Sequence, residues 1–480
     1  MLAKRFYRYA MFTTVWIFIF VCLSSHAQLQ FKYHPRQTHS EFSKDLIHAL
    51  EFQFSVEDKN MPSDREVRRI NFERRMSFME KVFEGAFIKD DSLETYVGNV
   101  LNNLVEHNKL QPHPRRVLVL SSPYVNAVCY GQGIYAVTIS LLSRIENENQ
   151  LAFILAHELA HDELGHIRTR IIQEADLDLK EKARKQTFKI ISGKIDNKEI
   201  ENFRNLIYDY CRHSRMNEMR ADSMALTLLR HSNYNEQEIF PAMTILQSTQ
   251  SPKHKIGAEL FSPFHTADQP FQDYWLNNRL TVYSKNYMGT FLYSADSIET
   301  HPTIAARKNA LRPYLGVEVE KASGQPLEFV NAVSEMAAFE TVESSFKNRQ
   351  YDLSLYYALQ LYNRYPENSY LVSRIGKILT DLYEFKGLPK FENYVAKYTL
   401  DYGNELKLIN NFLYNVSQPE LGKIAFHFLN NASNFNPAEK NHYYLLWKIS
   451  SLTYRDDLTI KTSGEYRSRF GGGIQSHKFQ

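Results

Sequence analysis

The chain has 480 residues, of which 43% are apolar and 23% charged, and it carries a formal net charge of +3. The apolar fraction is too high for a disordered chain, and so small a net charge argues against nucleic acid as a partner. Only 3 cysteines are present, so no disulfide framework holds the fold. The length predicts two or three domains, each large enough for its own core.

The start of the chain has the pattern of a signal peptide, residues 1–27. Lys4, Arg5 and Arg8 form a basic opening, an uncharged apolar run covers residues 10–23, and residues 25–27 have the pattern of a cleavage site. The run is shorter than the roughly 20 residues that span a bilayer, which favours cleavage over an uncleaved anchor. We therefore expect an exported protein, periplasmic or extracellular, that is soluble after cleavage and has no integral membrane span in the mature chain.

The next predicted elements are helices followed by a small sheet. Apolar residues recur with helical spacing over 91–110, and short branched apolar runs predict strands at 116–120 and 134–139, with 126–128 as a further candidate. A glycine turn at 131–133 precedes the last strand. The fold class predicted for this part is mainly α with a small β-sheet, that is, α+β.

Helical patterns dominate the remainder. A buried helix is predicted from Glu146, and further helical spacing covers about 168–231. From about Val330 the composition shifts, and residues 350–366 resemble part of a tetratricopeptide unit, although an irregular helical bundle is nearly as well supported. The predicted division is a first domain at 28–315, an α-helical repeat-like domain at 316–458 and a flexible tail at 459–480.

The segment Ala156–His161 contains the pattern HExxH. On a helix, His157 and His161 are four residues apart and project from one face, where two imidazoles can bind one zinc ion. Glu158 can reach a water in the open zinc position and act as general base. The alternative is a helix with three exposed polar residues, but the apolar surroundings make burial of unpaired His and Glu costly.

A zinc site of this kind needs a third protein ligand. The pattern of metzincins is absent, because Leu164 and Ile167 stand where a glycine and a third histidine would be required. Glu218 and Asp222 lie four residues apart on a predicted helix. A solvated face is the ordinary explanation for such a pair, but here Glu218 can complete a His-His-Glu set and Asp222 can accept a hydrogen bond from a ligand histidine.

The order of these motifs resembles family forty-eight of the zinc metallopeptidases, the group of HtpX, Oma and the CAAX prenyl proteases. The resemblance spans about residues 90–315 and leaves the C-terminal part uncovered. The matching segments are Asn126-Ala127, 131–135, 140–142, 148–161, 218–222 and His301-Pro302 with Arg307. It implies a gluzincin-type peptidase domain that holds one Zn²⁺ per chain through His157, His161 and Glu218.

The resemblance also implies roles around the zinc. Glu158 would be the catalytic base, and His301 or Arg307 would stabilise the oxyanion or hold the substrate, a capped helix start being about equally well supported for these two. His166 occupies a position where the family often has a histidine. Because it lies five residues from His161, we expect it outside the ligand face, in a structural or second-shell role, like Asp222.

Substrate binding is assigned to the strand and the turn before it. The residues expected to bind substrate are Asn126, Gly133, Ile134 and Tyr135, since a strand can pair with an extended peptide, although an ordinary internal strand is the alternative. The aromatic segment 251–287 is a candidate lid or plug, or else a surface insertion. Cys129 and Cys211 are either paired or two buried free thiols.

The function expected is an exported zinc metalloendopeptidase that cleaves protein or peptide substrates in cell-envelope quality control. The layout of peptidase domain followed by helical repeats resembles soluble BepA-like members of the family, in which the helical domain would dock onto an envelope assembly complex. The alternative is a chaperone or scaffold that retains the peptidase fold with little cleavage. A zinc hydrolase acting on something other than peptides is a weaker third hypothesis.

Overall fold

The computed structural model describes residues 33–38, 44–177, 197–247, 257–277, 302–315, 328–366, 368–396 and 404–479. The fold is α+β, as the sequence predicts. The predicted signal peptide and His301 lie outside the described residues, and so does the side chain of Cys211. No helix in the described ranges is long and apolar enough to cross a membrane.

The first part of the chain contains nine helices within the described residues. In chain order they are α1 Lys44–Asn60, α2 Arg65–Phe83, α3 Asp91–His107, α4 Ile139–Leu142, α5 Glu148–Glu163, α6 His166–Leu177, α7 Asn197–Arg230, α8 Ile239–Gln247 and α9 Ile304–Leu311. Asp90 begins α3 by accepting hydrogen bonds from the backbone N–H groups of Ser92 and Leu93. Asn147 begins α5 in the same way, through the N–H of Gln150. The caps fix where the predicted helices begin.

One sheet of five strands packs against these helices. The strands are β1 Gln37–Thr38, β2 Phe87–Lys89, β3 Arg116–Leu120, β4 Ala127–Gly131 and β5 Ile134–Thr138, in the spatial order β1-β2-β3-β5-β4. β3 and β5 are parallel, and the other pairs are antiparallel. Every residue of β5 is buried, because β5 has a neighbour on both sides. Among the described strands β4 has no further neighbour at this end of the sheet, and we call its outer side the free edge.

The second part is helical. Its helices are α10 Glu328–Lys347, α11 Tyr351–Arg364, α12 Ser369–Phe385, α13 Asn404–Asn415, α14 Gln418–Asn430, α15 Lys440–Leu452 and α16 Asp456–Phe470. α12 and α14 pack closely at Gly376, where an added Cβ would lie 2.5 Å from a methyl carbon of Leu429. Whether these helices are true tetratricopeptide repeats stays a prediction, as do the domain boundaries.

The prediction of a flexible tail from residue 459 is wrong. Residues 456–470 form α16, and its Tyr466 is buried against Tyr443 of α15. Ile474, beyond the helix, is fully buried in the same cluster. The sequence does not predict this helix, because only two side chains of α16 are buried and the apolar periodicity is therefore weak.

Two elements connect the first part of the chain to the helical part. α10 contributes Val333 and Met336 to the core around α5, and Phe339 to the core of the helical part. Near the start of the described chain, β1 pairs with β2 while Tyr33 stacks on Phe339, with ring centroids 5.3 Å apart. The two cores are therefore joined by shared elements.

The described part of the candidate lid, residues 257–277, packs on the helical part. Trp275 is fully buried there, and the rings of Phe261 and Phe264 lie 5.2 and 5.8 Å from that of Phe412 on α13. Asn415 donates a hydrogen bond to the carbonyl of Trp275. This part is anchored on the helical domain, and its role as a lid or plug over the site stays a prediction. The rest of 251–287 lies outside the described residues.

Candidate metal centre

Helix α5 brings the HExxH residues to the centre of the first core. Its residues from Gln150 to Ala160 are buried, and the helix packs against β4 on one side and α7 on another. His157 is 5% exposed and Glu158 is 9% exposed, so neither side chain lies on a solvated surface. The alternative of three exposed polar residues is therefore excluded.

The two histidines and Glu218 of α7 converge on one point. The Nε2 atoms of His157 and His161 are 3.1 Å apart, and each lies 3.4 Å from a carboxylate oxygen of Glu218. Ligand atoms bound tetrahedrally at zinc–ligand distances of 2.0–2.2 Å are separated by about 3.4 Å. These three residues are the group of potential metal ligands found in the described part of the chain. Their spacing and chemistry fit a zinc ion.

Asp222 contacts the ring nitrogen of His157 that does not face the other potential ligands. Its Oδ1 lies 3.0 Å from Nδ1 of His157, the nitrogen that points away from Glu218. An acceptor at this position keeps the proton on Nδ1 and leaves Nε2 free for a metal. Burial alone would lower the pKa of His157, but hydrogen bonds to Asp222 and Glu218 outweigh it and raise that pKa to about 10. Metal binding must therefore displace a proton.

Arg307 on α9 binds Asp222, and its Nη2 also lies 3.4 Å from Nδ1 of His157. Its Nε and Nη2 donate to the two carboxylate oxygens of Asp222 at 2.8 and 2.6 Å, and its Nη1 lies 3.9 Å from Glu218. Arg307 thus contacts the site through Asp222 and Glu218, and its catalytic role stays a prediction. His301, the other candidate, lies outside the described residues.

His166 makes the equivalent contact to the second histidine. The chain turns at Gly165, whose φ is 63°, and α6 begins directly afterwards. The turn places Nδ1 of His166 3.0 Å from Nδ1 of His161, on the side away from the ligand cluster. His166 is therefore outside the ligand set, where the sequence placed it.

Glu158 lies between the ligands and the free edge of the sheet. Burial raises the pKa of its carboxyl group, and the charge of His157 and the backbone of Cys129 in β4 oppose this rise. Cys129 itself is a buried free thiol, and burial raises the pKa of the thiol. The carboxyl group of Glu158 is therefore buried beside the ligand cluster, close to β4.

The strand that the sequence predicts to pair with substrate, β5, lies inside the sheet and not at its edge. Because β5 is paired on both edges, Ile134 and Tyr135 are fully buried and cannot pair with a peptide. Gly133 has a φ of 76°, and an added Cβ would lie 2.2 Å from the carbonyl oxygen of Pro114. These three residues are structural. Asn126 precedes the edge strand, and its backbone N–H and carbonyl are both bonded to Thr138.

Sequence reasoning missed Asp162, which fixes α5 to the glycine turn. Its Oδ2 accepts hydrogen bonds from the backbone N–H of Gly133 at 2.8 Å and from the hydroxyl of Tyr135 at 2.7 Å. The turn and the zinc-ligand helix are 29 residues apart in the chain. A carboxylate directly after HExxH, with a glycine turn upstream, was the available signal, but no local pattern connects the two.

The fold and this arrangement of side chains define the class. A helix carrying HExxH, a glutamate supplied by a second helix and an edge strand beside them are the arrangement typical of metallopeptidase catalytic domains. Residues 91–314 match the model of Peptidase family M48.

One similar protein is human mitochondrial metalloendopeptidase OMA1. It is 32% identical to this chain over 94 residues, which are 19% of this chain and 18% of the human protein. The chain therefore matches less than a fifth of that relative's length.

Proposed function

We propose that this protein is a zinc-dependent metalloendopeptidase that hydrolyses peptide bonds in protein substrates. The observation that carries the proposal is the convergence of His157, His161 and Glu218, with Glu158 adjacent. A zinc ion held there would supply Lewis acidity and lower the pKa of a bound water.

The side chains around the ligands have distinct tasks. Glu158 takes the proton of the attacking water and returns it to the leaving amine, and its raised pKa suits a group that must hold a proton between these steps. Asp222 and His166 keep the two imidazoles in the orientation that metal binding needs. Arg307 neutralises the carboxylates that are buried behind the site.

The substrate backbone would pair with β4. The N–H of Thr138 bonds to the carbonyl of Asn126, so in an antiparallel pair the backbone groups of Val128 also face β5, and those of Ala127 and Cys129 face the free edge. An extended peptide can add to this edge as a further strand. Its scissile bond would then lie near Glu158, which the N–H of Cys129 already contacts.

The biological setting that we propose is cell-envelope protein quality control after export. The basic and apolar pattern of residues 1–27 supports export, and the helical part beyond the family match is suited to bind clients or an assembly complex. A chaperone or scaffold with little cleavage is the second candidate, favoured by the size of the helical core around α12 to α15.

One variant separates the two candidates. Glu158→Gln keeps the shape of the side chain and removes the base, so cleavage of casein should fall by about 10²- to 10⁴-fold. Glu174→Gln on α6, whose side chain is 32% exposed, is the matched control and should cleave normally. If the Glu158→Gln protein still supports envelope integrity fully, the scaffold function is correct and proteolysis is not the main task.

A further inference from the structure

The chain folds back on itself after α16. Gly471 and Gly472 have φ values of 71° and 70°, a conformation that glycine adopts without strain, and they reverse the chain. The residues that follow lie against α15, α16 and α12. We call residues Gly471–Phe479 the return segment.

Three side chains attach the return segment to the helical part. Ile474 is fully buried beside Tyr443. His477 places Nε2 2.8 Å from the side-chain oxygen of Asn441 and Nδ1 3.3 Å from the hydroxyl of Tyr466. Phe479 is the third of these side chains, and it lies furthest along the chain from the end of α16.

Phe479 lies in a site built from cations and an aromatic ring. Its ring centroid is 5.7 Å from the guanidinium carbon of Arg374 and 5.6 Å from Nζ of Lys377, both on α12. The ring of Tyr444 on α15 lies 6.5 Å away. Cations within about 6 Å of a ring centroid are attracted to its face. We call these three residues the aromatic site.

The aromatic site is organised without Phe479. Glu343 on α10 forms an ion pair with Arg374, which is 4% exposed, and Asp381 accepts a hydrogen bond of 2.7 Å from Lys377. These partners all belong to the helices of the domain. The guanidinium carbon of Arg374 also lies 4.0 Å from the ring centroid of Phe346, so the two cations are positioned without Phe479.

The return segment is attached to the helices less firmly than the cations of the aromatic site are. Its described backbone–backbone hydrogen bonds beyond Gly471 remain within the segment, from Ser476 N–H to the Gly473 carbonyl and from His477 N–H to the Ile474 carbonyl. Side chains alone hold it to the helices. Another polypeptide that presents an aromatic residue can make the same contacts with the aromatic site.

We propose that the aromatic site is a polypeptide-binding site of the helical domain, and that the return segment occupies it as an intramolecular ligand. A client polypeptide that presents an aromatic side chain displaces Phe479 and takes its place between Arg374, Lys377 and Tyr444. This recognition is separate from the peptidase centre and does not depend on zinc.

The test uses a fluorescent peptide with the sequence of residues 471–480 and the full chain lacking those residues. The peptide should bind the truncated chain and bind the intact chain at least tenfold more weakly, as measured by fluorescence anisotropy. A peptide with Phe479→Leu should lose at least tenfold in affinity, because leucine has no π-face. Lys478→Ala, at an exposed position, is the control and should bind normally.

A second variant covers the case in which truncation disturbs folding. The intact chain with Phe479→Ala should bind the unchanged peptide more tightly than the wild type does, because its own ligand is weakened. Equal binding to Phe479→Ala and wild-type chains, or equal affinity of the Phe479 and Leu peptides, would overturn the proposal. Zinc content and casein cleavage, measured in the same samples, report on the peptidase centre independently.

Discussion

The pair of Asp222 and Arg307 gives the sharpest prediction for the metal centre. Asp222→Ala removes the acceptor at Nδ1 of His157, 3.0 Å away, and leaves the guanidinium of Arg307, 5% exposed, without its bidentate partner. Loss of an acceptor behind a metal-bound histidine costs about 10- to 100-fold in metal affinity. Breaking a buried ion pair on one side costs about 3–5 kcal/mol of stability.

The two effects can be separated with a second substitution. The double variant Asp222→Ala/Arg307→Met removes the buried Asp222–Arg307 ion pair as a whole, so most of the lost stability should return. Metal affinity should remain low, because His157 still lacks its acceptor. Urea denaturation measures the first quantity, and competition with a chromophoric zinc chelator measures the second.

Two results would refute this reasoning. If Asp222→Ala binds zinc as tightly as the wild type, Asp222 does not orient His157. If the double variant regains metal affinity together with stability, the loss in the single variant came from general destabilisation and the contact at Nδ1 is unimportant.

Three further predictions concern other contacts. Asp162→Ala should lower the free energy of unfolding by about 1–3 kcal/mol, since it leaves the Gly133 N–H and the Tyr135 hydroxyl without their acceptor; a urea titration showing no loss would contradict this. Trp275→Ala should cost about 3–5 kcal/mol, because the side chain is fully buried on the helical part; a loss below 1 kcal/mol, in contrast to an exposed control such as Tyr454→Ala, would mean that 257–277 is no anchor. Burial lowers the pKa of Lys386 to about 8. Between about pH 8 and pH 10.4 the unfolded chain binds one proton more than the folded chain, so the free energy of unfolding should rise with pH across this window. Lys386→Met should remove that rise when denaturation is compared at pH 7.5 and pH 10. The same rise with pH in both proteins would contradict this prediction.

The sequence predicted the local geometry of the metal centre well. Four-residue spacing on a helix is a matter of backbone geometry, so His157 and His161 had to share a face. The same four-residue spacing identified Glu218 and Asp222 as a pair on one face of a helix. Once a third ligand was required, few acidic residues on long predicted helices remained as candidates.

What the sequence could not predict depends on contacts between distant segments. The spatial order of strands places β5 inside the sheet through its parallel pairing with β3, and no local pattern of β5 reveals this. Arg307 is 85 residues from Asp222, so its ion pair could not be read from spacing. The burial of Ile474 likewise depends on tyrosines of two preceding helices. The sequence of the last residues alone does not show these contacts.

The central claim is that His157, His161 and Glu218 bind the zinc ion that the peptidase needs. The most direct test measures zinc by mass spectrometry in wild type and Glu218→Ala purified without chelator, alongside casein cleavage. We predict about one zinc per chain and cleavage for the wild type, with both lost in Glu218→Ala. Cleavage by a metal-free wild type, or a full complement of zinc in Glu218→Ala, would contradict the account.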